Sequence, residues 1–125
     1  MLKSIILVAA GGAAGSVARY LASRIIQGIV SVSFPAGTML VNVLGCLLIG
    51  IVYGLCAGRC RIDGNMALLL TTGFCGGFTT FSTFASETLG LLRSGSIITG
   101  ALYAGGSVAL GLVAVALGMH ITKMI

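Results

Sequence analysis

The sequence predicts an all-α integral membrane protein of four transmembrane helices with a break in the third, and three observations carry that prediction. Of the 125 residues, 58% are hydrophobic and only 7% charged, with a mean hydropathy of +1.17; a soluble domain has about 25% charged residues. The charged residues fence off uncharged windows at 25–58, 64–86 and 94–122, each able to hold the roughly 20 apolar residues that cross a bilayer as a helix. The third window contains GFCGGFTTFSTF, residues 73–84, a cluster of glycines and hydroxyls where an uninterrupted helix is hard to sustain.

Helix 1 is expected over 3–29. The uncharged stretch 4–18 holds 15 residues before Arg19 and covers only about 22 Å at 1.5 Å per residue. The helix therefore continues past Arg19 and Arg24, which snorkel or pair. Lys3, the apolar run after it and AAGGAAGS resemble a signal peptide, but three further spans favour an uncleaved helix. Helix 2 is expected over 37–57, entered at Pro35, the single proline. Helix 3 is expected over 66–92. Gly73, Gly76 and Gly77 each cost about 1 kcal/mol relative to alanine, and Thr79 and Thr80 follow directly, so the break is placed there. Backbone that leaves helical geometry in a bilayer is tolerated only where protein, water or an ion satisfies it, and transporters commonly hold ions at such places. Helix 4 is expected over 97–121. The connections are short, and the reading is a single four-helix membrane domain over 1–125.

An even number of spans puts Lys3, Arg59, Arg61 and Lys123 on one side and Arg24 and Arg93 on the other. Four against two is a weak orientation bias, and insertion in both directions is expected. The net charge of +5 is scattered over helix ends and never clustered, which argues against a nucleic-acid partner. Cys46, Cys56, Cys60 and Cys75 include one C-x3-C pair, but no second pair or nearby histidine completes a metal set, so they read as small apolar filler. His120 stands alone near the end of helix 4 and reads as an interfacial or capping residue. With no nucleophile–base pair and no metal set, an enzyme is the least favoured class.

Twenty glycines, about twice the usual share of roughly 7%, include pairs four apart at Gly11/Gly15, Gly50/Gly54/Gly58 and Gly73/Gly77. Such faces let helix backbones approach closely. Four helices with so little side-chain bulk can hardly enclose a pathway alone, and a dimer is expected. Thr38, Asn42 and Gly45 share one face of helix 2. Asn42, the one carboxamide deep in a span, either glues helices by hydrogen bonding or lines a pore. On helix 4, Thr99, Tyr103, Ser107 and Gly111 form a narrow stripe that binds a neighbouring helix or lines a wet path. Phe81 and Phe84 project on one side of helix 3, interleaved with Ser82 and Thr83; their ring edges carry positive potential and can meet an anion. Glu87, the only acid in a span, is expected to pair with Arg19 or Arg24, or to sit near the interface.

These residues carry a resemblance. GGAAGSVARY (11–20), PAGTMLVNVLG (35–45) and GFCGGFTTFSTF (73–84), followed by Glu87, are similar to the Fluc-type fluoride channels, also called the camphor-resistance protein family, over essentially the whole chain. The resemblance implies a dual-topology antiparallel homodimer enclosing two pores, in the cell (inner) membrane, that passively exports fluoride. It implies that Asn42, Phe81 and Phe84 line each pore, with Ser82, Thr83, Tyr103 and Ser107 handing the ion along. It also implies a structural Na+ on the two-fold axis, held by backbone carbonyls of Gly76 and Thr79 from both subunits. Arg19 matches the family's helix 1 arginine, with a vestibule or structural role. The residue chemistry agrees: fluoride holds water strongly, and neutral donors replace hydration without trapping the ion. The alternative, a small multidrug-type proton-coupled transporter, is expected to carry an acid in helix 1 and tryptophan nearby; helix 1 has no acid and the chain no tryptophan. A structural or assembly subunit would tolerate Asn42→Ala.

Overall fold

The computed structural model describes residues 1–30, 34–58 and 62–124, and every described regular element is helical. Helix α1 spans Leu2–Ile29, α2 Ala36–Ala57 and α6 Ile97–Lys123, over the first, second and fourth predicted helices. These three are long and apolar enough to cross a membrane. Pro35 is the N-cap of α2. Its ring forbids the amide donor a helix start does not need.

Over the predicted third helix the chain is subdivided. Helix α3 (Gly64–Leu68) runs into a π-helical segment, Leu69–Cys75, then one turn, α4 (Gly76–Phe78). Thr79 (φ −94°, ψ 158°) and Thr80 (φ −148°, ψ 120°) are extended, and helix α5 follows over Phe81–Arg93. The three glycines expected to interrupt the helix all lie in helical backbone, and the extended residues are the threonines that follow them.

The glycines serve packing instead. A Cβ on Gly77 would stand 2.5 Å from the carbonyl oxygen of Gly12, and one on Gly11 2.5 Å from that of Leu69 and 2.9 Å from Cα of Gly73. A Cβ on Gly15 would overlap the carbonyl of Phe74. Helix α1 thus lies backbone against backbone on the π-helical segment and α4, as small-residue faces allow where water provides no drive for association. Helix α6 packs chiefly on α2, where Gly118 faces the carbonyl of Leu47 and Gly50 that of Val115. The interior is small: Val41 and Tyr103 are the fully buried large side chains, and many leucines, isoleucines and valines are exposed, as a lipid-facing surface requires.

Arg59, Arg61 and Cys60 lie outside the described residues, so the charge bias and the C-x3-C pair are not described. Cys46, Cys56 and Cys75 are free thiols, and no group of three or more metal-ligating side chains occurs among the described residues.

Candidate functional site

The face of α2 that carries Asn42, Gly45 and Cys46 runs along the segment 71–80. Two extended residues free backbone groups, and the first question is what satisfies them. Asn42 does so at Thr80: the Thr80 N–H donates to Asn42 Oδ1 (2.8 Å) and Asn42 Nδ2 donates to the Thr80 carbonyl (3.1 Å). The carboxamide takes the place of a neighbouring strand's peptide. Asn42 thus braces Thr80 across helices and also lines the groove described below. The Thr80 hydroxyl accepts from the Thr83 N–H (3.2 Å), an N-cap for α5, and contacts Ser82 Oγ at 3.4 Å. Thr79 donates from both its N–H (3.0 Å) and its hydroxyl (2.9 Å) to the Cys75 carbonyl. Arg19 Nε donates to the Gly77 carbonyl (3.1 Å). The carbonyls of Gly76, Phe78 and Thr79 accept no hydrogen bond from a described residue.

A groove of about 530 Å³ opens beside this segment, lined from one end by Tyr53, Thr71 and Thr72, along its middle by Cys46 and Cys75, and at the other end by Asn42, Phe81 and Phe84. Gly76, Thr79 and Ser107 also line it. Phe81 is 80% exposed and its ring centroid lies 6.0 Å from that of Phe84. Phe84 in turn lies 5.2 Å from Tyr103. The Ser107 hydroxyl is buried with no hydrogen-bond partner, an unusual state for a polar atom.

Six of the residues singled out in the sequence, Asn42, Gly76, Thr79, Phe81, Phe84 and Ser107, therefore meet at one groove. Ser82 and Thr83 sit on the first turn of α5 and are not among its lining residues. Tyr103 stands behind Phe84, fully buried, with its hydroxyl donating to Glu87 Oε1 at 3.1 Å. Glu87 makes no ion pair with Arg19 or Arg24 among the described residues, contrary to the expected arginine partner; Arg24 instead donates to the Tyr20 hydroxyl (2.9 Å). The stripe on α6 is divided: Tyr103 and Gly111 are buried, Gly111 against Cys46 Sγ, and Ser107 reaches the groove. Tyr53, Thr71, Thr72 and the two cysteines at the groove were not found from sequence. The signal available was the spacing from Asn42 along α2, where Cys46, Ile49 and Tyr53 continue one helical face.

The sequence matches the family described as CrcB-like protein, Camphor Resistance (CrcB), over residues 6–119. Among its relatives, a protein of Nitratidesulfovibrio vulgaris named fluoride-specific ion channel FluC is 44% identical over 99% of this chain and 100% of its own. One of the same name from Phocaeicola vulgatus is 47% identical over 98% and 100%, and one from Maridesulfovibrio salexigens is 44% identical over 99% and 98%.

Proposed function

From the premise that this chain belongs to the CrcB-like, camphor-resistance family, we propose that it is a fluoride-selective channel of the inner membrane, a passive pore and not an enzyme. The observation that carries the reading is the groove, where Phe81 and Phe84 stand beside Asn42 and a Ser107 hydroxyl that has no other partner. Relatives matching nearly the whole chain are fluoride-specific channels by name.

Fluoride is small and strongly hydrated, so a path must offer donors as water is shed and yet let the ion leave. Ser107 has a proton to give, and Asn42 Nδ2 has a second hydrogen beyond the one on Thr80. Phenylalanine edges add weak positive potential without a full charge. Among the described residues no lysine or arginine lines the groove, and a full positive charge there would hold the anion too firmly.

One chain leaves the groove open on one side and Phe81 exposed, which supports an antiparallel dimer in which the partner closes each path, giving two pores. Ser82, Thr83 and Tyr103 continue the polar track in that assembly. The carbonyls of Gly76 and Thr79 are among those without a described partner, and the oxygen chemistry suits a hard cation such as Na+. At the two-fold axis that ion would neutralise the freed carbonyls and tie the two copies together.

The test is fluoride efflux from proteoliposomes, read with an ion-selective electrode, with chloride in parallel and a proton ionophore to test coupling. Rapid electrogenic loss of fluoride without chloride is expected. Folded protein that passes no fluoride would overturn the reading.

A further inference from the structure

Arg19 has no acidic partner among the described residues, because Glu87, the acid on the helical segments, is engaged by Tyr103. An arginine in a membrane bundle without a counter-charge needs carbonyl dipoles, and Arg19 finds them where the segment 64–78 ends. On α1, Gly11, Gly15 and Arg19 are i, i+4 and i+8 and share a face. The glycines bring that face into backbone contact with Gly73, Phe74 and Phe78. One turn further on, the same face delivers the guanidinium to the carbonyl of Gly77, 3.1 Å from Nε.

A helix leaves its last carbonyls without intrahelical partners, and its C-terminal end carries partial negative charge that a cation stabilises. After α4 the chain itself meets the Cys75 carbonyl but not that of Gly77: Thr79 and Thr80 are extended, the Thr79 N–H goes back to Cys75 and the Thr80 N–H goes to Asn42. Arg19 thus holds Gly77, two residues before Thr79, and Asn42 holds Thr80, the residue after it.

We propose that Arg19 is a positioning residue for permeation: its charge-assisted bond to the Gly77 carbonyl fixes the end of α4, and so sets where Thr79, Thr80 and the Phe81 ring sit at the groove. The role is distinct from attracting anions at a vestibule, since it acts through the Nε donor on a backbone carbonyl. The permeation half rests on the channel reading above; the ordering half does not. Because the bond uses a single donor, lysine substitutes for arginine here, whereas it fails where a bidentate fork is needed.

The test compares Arg19→Met and Arg19→Lys with the parent protein in two measurements. Amide hydrogen exchange over residues 76–84 in detergent reads the ordering without reference to fluoride. Fluoride efflux per folded protein in liposomes reads its consequence. Arg19→Met is expected to raise exchange by about tenfold, the factor carried by about 1.4 kcal/mol, and to lower efflux by a similar factor. Arg19→Lys is expected to keep both close to the parent. Unchanged exchange in Arg19→Met overturns the proposal. Faster exchange with full efflux per folded protein reduces Arg19 to a stabilising contact and overturns it too, as does a Lys variant as impaired as Met. Should the Met variant not fold, Arg19→Gln, which keeps a neutral donor on a shorter side chain, takes its place with the same expected direction. If the parent itself passes no fluoride, the channel reading fails while the exchange comparison still decides the ordering claim.

Discussion

Replacing Asn42 by leucine removes both hydrogen bonds to Thr80 while keeping a side chain of similar length, so the effect isolates polar bracing from cavity formation. The bonds lost are those of 2.8 and 3.1 Å to the Thr80 N–H and carbonyl. A buried backbone group left unsatisfied costs about 1–3 kcal/mol, which for two groups sets an upper range of about 2–6 kcal/mol. Interhelical hydrogen bonds measured in membrane proteins are weaker, about 0.6 and at most about 1.7 kcal/mol each. Asn42 and Thr80 are only half-buried, so the smaller scale governs and about 1–3 kcal/mol is expected for the pair. The assay is reversible unfolding in mixed micelles titrated with a denaturing detergent, followed by circular dichroism. Fluoride efflux should fall in parallel, because α5 and Phe81 begin at the residue that Asn42 holds. A stability change below about 0.5 kcal/mol, the scale of substitutions that touch nothing, would refute the claim that this carboxamide braces the extended backbone.

Three further expectations rest on specific contacts. Gly77→Ala should destabilise by about 1–3 kcal/mol, the usual cost of overpacking, because its Cβ meets the backbone of Gly12; Gly28→Ala, with open space around it, should stabilise by up to about 1 kcal/mol, and the same unfolding titration compares them. Phe81→Ile should nearly abolish fluoride efflux while leaving unfolding within about 0.5 kcal/mol of the parent, since the ring is 80% exposed in the single chain; full efflux would remove Phe81 from the path. Tyr103→Phe takes away the donor to Glu87 and should cost about 1–2 kcal/mol, with an unchanged unfolding midpoint counting against that bond as a support for α5 on α6.

The amino-acid sequence by itself determined the membrane class and the positions of α1, α2 and α6, because the limits of an apolar window are local and the bilayer demands a set length. It also marked Asn42, Phe81, Phe84 and Ser107, since a polar or aromatic side chain at helical spacing in such a window declares itself. Within the cluster 73–80 it did not separate the glycines from the threonines: glycine content was read as helix-breaking propensity, whereas Gly11, Gly15, Gly73 and Gly77 make a close helix contact that outweighs about 1 kcal/mol per glycine, and the extended residues are Thr79 and Thr80. Where the chain becomes extended was decided by partners far away in sequence. Asn42 meets Thr80 across 38 positions and Arg19 meets Gly77 across 58. Tyr103, rather than an arginine, meets Glu87 across 16. Backbone groups released from a helix in lipid take whichever donors and acceptors the packing brings within reach, and which side chains arrive there depends on how closely α1 and α2 can approach the third segment.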